Sequence, residues 1–251
     1  MEIVARNSPV FNKGNTMIYS ITYSDKYQRA TLRNHGCNYR CIGCSYKLKS
    51  PEKPVSHLSL DSIRDCLRSL PLREVSFMGG EPTLNPELPE LLSFCKNELG
   101  ALTRLGHTNG SNLIIENLDA SNVTLKAYDD ELYLDYTGKP AGPVYENFRV
   151  ACEAGLEMKA SSVLIPEYCD IEQLEKIAVF VSGIGRDIPF HLMGYIPVPG
   201  TPWRRPDRTE MKKAVSMIGH YLSHVTFSHL TSSQFVNGER ADDIFQVRRV
   251  L

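Results

Sequence analysis

The densest chemistry in this chain lies in eight residues, Cys37-Asn38-Tyr39-Arg40-Cys41-Ile42-Gly43-Cys44. Thiolates are nucleophiles and soft metal ligands, and three this close in sequence can serve one centre. Three uses compete. Structural zinc takes four nitrogen or sulfur ligands, and His35 could be the fourth. However, C-x3-C-x2-C is not a finger or ribbon spacing, and no second C-x2-C occurs. A disulfide suits an oxidising compartment, and seven cysteines cannot all pair internally. The third use is a four-iron cluster held by three thiolates where four are usual, leaving one iron open to another ligand. The other four cysteines are dispersed. Cys66, Cys95 and Cys152 fall in helical patterns and read as small core residues, while Cys169, beside Asp170, falls in an expected loop.

The elements that must position this loop follow from hydrophobic period. Residues 28–34 are β-like and run straight into His35-Gly36-Cys37. Residues 59–70 predict a helix that Ser59 or Asp61 can cap, with Ile63, Leu67 and Leu70 on one face. A strand over 73–78 ends in Gly79-Gly80. Leu88, Leu91, Leu92, Cys95 and Leu99 predict a helix closed by Gly100. Further strands are expected over 102–107, 122–128, 158–165 and 190–196. Helices are expected around 144–152, 171–181 and 211–222, and a last β-like stretch over 225–227. This alternation predicts an α/β fold, a partial open (β/α)6 barrel of parallel strands. Polar or glycine-rich turns follow the strands at His35-Gly36-Cys37, Gly79-Gly80-Glu81 and Thr108-Asn109-Gly110, on the face where such barrels carry their chemistry. Residues 1–27, with a β-like 17–22, predict an N-terminal β extension. Residues 28–228 form the barrel and 229–251 a polar tail, as one domain overall.

Composition narrows the class. With 251 residues, 42% apolar and 23% charged, the chain has the balance of a folded globular protein. A net charge of −1 supplies no global field for nucleic acid or an acidic membrane, so neither is an expected partner. No run approaches the roughly 18 apolar residues of a membrane span. The N-terminal MEIVARNSPVFNKG lacks the pattern of a secretory signal, which makes the cytoplasm, with reduced thiols, the expected compartment.

The cysteine spacing after a first strand resembles the radical S-adenosylmethionine superfamily. Ser76-Phe77-Met78-Gly79-Gly80-Glu81-Pro82 resembles that family's GGEP motif at the end of the second strand. Thr108-Asn109-Gly110 resembles the TNG turn of its activating-enzyme branch, and Val123-Thr124-Leu125-Lys126-Ala127-Tyr128-Asp129 the VDLKAFD strand. Val163-Leu164-Ile165-Pro166 is similar to the LIPG segment, and Phe190 to Pro197 to the last barrel strand. The resemblance, over roughly residues 28–228, is to short proteins related to the pyruvate formate-lyase activating enzyme. It implies a [4Fe–4S] cluster on Cys37, Cys41 and Cys44, with S-adenosylmethionine chelating the open iron. Gly79 and Gly80, with or without Glu81, would meet its amino group, and Lys126 its carboxylate. Thr108 and Asn109 would bond the ribose or carboxylate. Leu164 and Ile165 would wall the adenine or serve as core. The reduced cluster would cleave the C5′–S bond, and the resulting 5′-deoxyadenosyl radical would take a substrate hydrogen. A one-electron donor such as flavodoxin or ferredoxin is implied. The substrate is a protein or peptide, as for an activating enzyme, or alternatively a small molecule or nucleotide. A non-enzymatic electron carrier or sensor is the third alternative, against which GGEP argues. The dispersed cysteines leave none for a second cluster.

Three departures stand out. Gly43 occupies the place, just before the third cysteine, where the family has an aromatic residue against adenine; Tyr46 or Tyr39 could compensate. Thr124 replaces the aspartate of VDLK, which points to altered substrate or cation binding. Gly194-Tyr195-Ile196-Pro197 stands where relatives carry a histidine, and His191 lies earlier. Strand alternation predicts Thr124 and Lys126 facing the cavity, with Leu125 and Ala127 packing outward. The basic run Arg204-Arg205-Pro206-Asp207-Arg208, with Lys212 and Lys213, is either a solvated loop and helix start or a phosphate contact. Tyr128, Tyr133 and Tyr136 are expected as packing or surface residues, and Trp203 as a loop anchor or part of the substrate entrance.

Overall fold

Alternating apolar and polar residues along Ile18–Ser24 (β1) and Arg29–Asn34 (β2) close an antiparallel hairpin. The computed structural model describes residues 16–48, 56–237 and 247–251. The first fifteen residues of the expected N-terminal extension therefore lie outside the described residues. From β2 onward every strand is parallel to the next: Glu74–Met78 (β3), Leu102–Thr108 (β4), Ala120–Thr124 (β5), Glu157–Leu164 (β6), Phe190–Gly194 (β7) and Val225–Ser228 (β8). A short strand, Arg248–Arg249 (β9), pairs antiparallel with β1, giving the order β8-β7-β6-β5-β4-β3-β2-β1-β9. The α/β partial barrel is thus present, with a seventh parallel strand beyond the six expected.

Local chemistry fixes the helices. Leu60–Arg68 (α1) starts where the Ser59 side chain accepts from the Ser62 N–H. Leu88–Ser93 (α2) runs on into a wider turn, Phe94–Glu98. Asp130–Thr137 (α3) is a helix the apolar pattern did not reveal. It is followed by Gly142–Glu153 (α4), with proline in its first turn, where the absent N–H costs nothing. Asp170 caps Ile171–Ile184 (α5), and Asp207 with Glu210 forms a capping box on Arg208–Ile218 (α6). Ser232–Asn237 (α7) follows β8. One expectation changes: the strand placed at 122–128 runs from Ala120 to Thr124, and α3 is inserted between it and the expected helix α4. Among the described residues no helix is long and apolar enough to cross a membrane.

Burial divides each strand by parity. Ala30, Leu32, Val75, Phe77 and Leu105 pack with Ile63, Leu67, Leu91 and Leu92 into one core behind β1–β4. Val123, Leu125, Met158, Ala160, Phe190 and Leu192 pack with Tyr133, Phe148, Leu174 and Ile177 into a second core behind β5–β7. The alternate residues face the concave side of the sheet, the lumen of the half-barrel. The tail is sewn to the opposite edge from the one it leaves. The Ile21 N–H donates to the Leu251 carbonyl at 2.9 Å, and Val250 and Leu251 pack on the first core.

Candidate functional site

The cysteine loop is held from three sides. From α3, the Thr137 and Tyr136 carbonyls accept the Arg40 and Ile42 N–H groups at 3.1 and 3.0 Å. These are orphan acceptors at a helix C-terminus, so an element the apolar pattern did not reveal positions the cysteine loop. From β3, the turn Gly79-Gly80 lies against the chain entering the loop. A Cβ on Gly79 would stand 2.8 Å from the Asn34 carbonyl oxygen, and one on Gly80 only 1.9 Å from that of Gly36. Both glycines have positive φ, and the Glu81 N–H donates to the Gly36 carbonyl at 2.8 Å. From β4, Asn109 Nδ2 reaches Asn38 Oδ1 at 2.8 Å and Cys37 Sγ at 3.8 Å.

Glu81 ties these turns together. It is wholly buried, and its Oε1 accepts from the Thr83 N–H (3.1 Å), the Thr83 hydroxyl (2.7 Å) and the Thr108 hydroxyl (2.7 Å). Its Oε2 accepts from the Asn109 N–H at 2.6 Å. Thr108 Oγ1 in turn accepts the Gly110 N–H at 3.1 Å, and Asn109 Oδ1 the Ser111 N–H at 2.9 Å. The polar groups of Glu81 and Thr108 are therefore occupied by the protein itself.

The thiols are free of disulfides. Burial pushes the Cys41 thiol up, and the positive charge of Lys126 works against it. Burial likewise raises Cys37, opposed by the Tyr39 N–H, which donates to its sulfur at 3.4 Å. A nearby cation and N–H donors favour thiolates, the form that ligates metal. Among the described residues no three His, Cys, Asp or Glu side chains close on a single point as in a one-ion cage. Ligands to separate irons of one cluster need no such convergence, so the three thiols suit a three-thiolate [4Fe–4S] site.

Lys126 is half-buried, while Leu125 and Ala127 on either side are in the second core. Its backbone is pinned by the buried Cys169, whose Sγ donates to the Lys126 carbonyl at 3.1 Å. Burial pushes that thiol up to about 12. Thr124 Oγ1 and Ser161 Oγ lie 3.1 Å apart on the lumen side. Leu164 is 2% exposed and belongs to the helix-facing core, so it walls no cavity; its neighbour Val163 has the lumen parity. Tyr46 sits on the turn Ser45–Leu48, edge-on to Phe235 of α7 at 6.5 Å.

Gly43 is explained by its neighbours. A Cβ there would lie 2.8 Å from Tyr136 Oη and 3.0 Å from Tyr195, so no aromatic side chain fits. Those two tyrosines, from α3 and from the segment after β7, fill the space; Tyr136 lies tilted against Tyr168 and Trp203, and Tyr195 meets Trp203 edge-on. The Tyr168 and Trp203 ring centroids are 4.1 Å apart. Trp203 is thus a packing anchor. The basic run is partly consumed. Arg204 pairs with Glu210 at 2.6 Å, and Arg205 donates to the His229 carbonyl at 2.6 Å. Cys95 is core, its thiol pushed up to about 12 by burial, and Cys66 and Cys152 are half-buried.

Comparison with known proteins agrees with this geometry. The family model described as the radical SAM superfamily matches residues 32–181. A putative glycyl-radical enzyme activating enzyme of Methanocaldococcus jannaschii is 32% identical over 86% of this chain and 86% of its own. A probable GTP 3′,8-cyclase of Sulfurisphaera tokodaii is 33% identical over 68% of this chain and 56% of its own. Among solved structures, Streptococcus suis SuiB bound to S-adenosylmethionine superimposes with a TM-score of 0.63 at 18% identity, over 82% of this chain and 51% of that one. This last likeness concerns the fold.

Proposed function

The chain belongs to the radical S-adenosylmethionine superfamily, enzymes that use a [4Fe–4S] cluster and S-adenosylmethionine, and on that premise we propose which residues bind them and what is done with the radical. Cys37, Cys41 and Cys44 hold the cluster. When bound, cluster and S-adenosylmethionine supply one-electron cleavage to methionine and a 5′-deoxyadenosyl radical, which removes a substrate hydrogen. Lys126 receives the methionine carboxylate. The Gly79-Gly80 backbone lies beside the amino group. Glu81, Thr108 and Asn109 act by holding the Gly-Gly turn and the cysteine loop in register, since their polar atoms are already spent. Tyr136 and Tyr195 supply the aromatic surface that Gly43 omits. A low-potential one-electron donor, flavodoxin or ferredoxin in type, completes the system.

The observation that carries this reading is that one loop with three free thiols, the Lys126 cation acting on Cys41, and the Glu81-braced turns lie together at the C-terminal ends of parallel strands. Two substrate classes follow from the relatives' names: a protein to be activated, and a small molecule such as a nucleotide. The cations that strand parity turns into the lumen, Arg29, Arg33, Arg104 and Lys159, favour the second.

Anaerobic reconstitution should give about four irons per chain. Reduction with S-adenosylmethionine present should yield 5′-deoxyadenosine and methionine. Eight irons, stoichiometric zinc without iron, or no 5′-deoxyadenosine would defeat the reading. Lys126→Ala with an intact cluster should bind S-adenosylmethionine about ten- to a hundredfold more weakly, the range for a charged hydrogen bond. Unchanged affinity would move Lys126 to the substrate or the fold.

A further inference from the structure

Strand parity aims an unusual set of side chains into the lumen. Arg29 and Arg33 of β2, Arg104 of β4 and Lys159 of β6 lie on the face opposite the cores, and Lys126 follows at the end of β5. Carboxylates are scarce there. Glu74 is shared between Arg29 at 2.7 Å and Arg104 at 3.3 Å. Glu157, at the start of β6 and 75% exposed, touches Arg104 at 3.6 Å. Among the described residues no carboxylate is within ion-pair distance of Arg33, Lys126 or Lys159.

Lys159 is the informative member. It is half-buried, and its register partner on β5 is Asn122. It faces Arg104, a like charge, and both that charge and burial disfavour its ammonium. A desolvated cation beside another cation is costly unless an anion joins them. An independent sign comes from Asn122, which is 7% exposed. Its Nδ2 bonds His107 Nδ1 at 3.2 Å, while its Oδ1 is buried with no hydrogen-bond partner among the described residues. Because amide oxygen and nitrogen are assigned from their partners, the same side chain turned over would offer N–H to an acceptor in the lumen. A buried amide is seldom left half-satisfied. With Asn122 so turned, its NH2 and the Lys159 ammonium present donors to one place beside Arg104, which an acceptor would complete.

We propose that the lumen is the substrate site and that it takes a small organic anion, a phosphate or carboxylate, seated on Lys159 with Arg104, Asn122 and His107 around it. This rests on the radical-enzyme reading above and names its substrate class. Asn122 lies four residues before Lys126, so the anion would sit roughly 13 Å below the cofactor level, at 3.3 Å per strand residue. That span leaves the carbon skeleton of the substrate beneath the cysteine loop, where hydrogen would be taken. The anion would be held by charge-assisted hydrogen bonds deep in the lumen, and the reacting end would remain free.

The test is calorimetric titration of inorganic phosphate, pyrophosphate and malonate into the reconstituted holoenzyme at low ionic strength. At least one should bind saturably, and binding should weaken about tenfold or more in Lys159→Met, the loss of one charged hydrogen bond. Lys159→Arg should restore it, Asn122→Ala should weaken it, and Arg149→Gln, on the outer face of α4, should not. Binding of the phosphates alone assigns an organic phosphate, and of malonate alone a carboxylate. Absence of saturable binding, or equal affinity in Lys159→Met and wild type, overturns the proposal. Should Lys159→Met fail to fold, Asn122→Ala and Lys159→Arg decide it by the same comparison. Formation of 5′-deoxyadenosine by the wild type is measured in parallel. Cleavage without anion binding overturns this inference alone, and absence of cleavage overturns the parent reading.

Discussion

The rim of the half-barrel and its lumen treat polar groups in opposite ways. At the rim, Glu81 meets four donors, Thr108 and Asn109 are each bonded on both sides, and the α3 carbonyls take the N–H groups of the cysteine loop. In the lumen, among the described residues, Lys159 faces Arg104 with no carboxylate at ion-pair distance, and Asn122 Oδ1 has no partner. A satisfied buried network rigidifies, whereas an unsatisfied one carries a cost that a ligand can remove. The rim is built before anything binds. The lumen presents charge that an anion would complete.

Breaking the rim should have the largest effects. Cys41→Ala should abolish iron binding and S-adenosylmethionine cleavage together, because a cluster already one ligand short of four cannot lose another. Cys66→Ala, half-buried against the first core, should keep its iron. Iron analysis of both variants checks the ligand set, and iron loss in the second would reassign it.

Next in size is Gly80→Ala. The added Cβ would fall 1.9 Å from the Gly36 carbonyl oxygen, a backbone atom that cannot turn aside. The cost should be about 3 kcal/mol or more. Gly138→Ala makes the control, since Gly138 also has positive φ but nothing within 4 Å. It should cost only about 1 kcal/mol. Thermal unfolding of the pair separates close approach from backbone conformation, and equal melting temperatures would mean that the two turns are not in contact.

Glu81→Gln measures how complete the rim network is. Each carboxylate oxygen accepts one backbone N–H, from Thr83 on Oε1 and from Asn109 on Oε2. The threonine hydroxyls can rotate to accept from an amide, but a backbone N–H cannot. Glutamine offers one oxygen, so in either orientation one buried N–H faces an NH2. The expected loss is about 1–3 kcal/mol of stability. An unchanged melting temperature would mean that the Thr83 and Asn109 N–H groups do not depend on both carboxylate oxygens.

These residues also mark how far the sequence could be read. Cys37, Cys41, Cys44 and Gly79-Gly80 were visible because spacing and glycine carry their meaning locally. The reason for the glycines was not visible, since the Asn34 and Gly36 carbonyls that require them lie some forty residues earlier. Helix α3 escaped because its buried positions are Tyr133, Tyr136 and Thr137, which form no aliphatic stripe. Leu164 reads equally as adenine wall or core in the sequence, because strand parity cannot be read from the unbroken apolar run Val163-Leu164-Ile165; the structure gives it the core. Gly43 seemed a lost contact until Tyr136 and Tyr195 were seen occupying its side-chain space. The net charge of −1 concealed the lumen altogether. A sum over the chain says nothing about which face carries the cations.

The smallest effect is the one that sharpens the contrast most, because its sign is reversed. Removing a polar group from the rim should destabilise the protein. Removing the Lys159 charge from the anion-free protein should stabilise it. Burial and then Arg104 lower the Lys159 pKa below its usual value, so in the folded state the ammonium gives up its proton earlier than in the unfolded chain. Between the lowered folded value and the ordinary one near 10.5, the unfolded state binds more protons, and stability rises with pH. Below that window the charged lysine imposes its full penalty. Other charges near it would modulate this: Arg104, Glu74 through Arg104, Glu157 on its own strand, His191 on the adjacent β7 and His107 on β4 beyond Asn122. Lys159→Met should therefore be more stable than wild type at neutral pH, by less than about 1 kcal/mol after solvent screening of a half-exposed group. The advantage should shrink as pH rises towards 10, where the wild-type lysine is itself losing its charge. Added phosphate or malonate should erase it at neutral pH by stabilising only the wild type. Parallel melts across pH 7 to 10, with and without the anion, measure all three. A variant that is less stable than wild type throughout would mean that Lys159 already has its counter-charge, and the lumen would then be as self-sufficient as the rim.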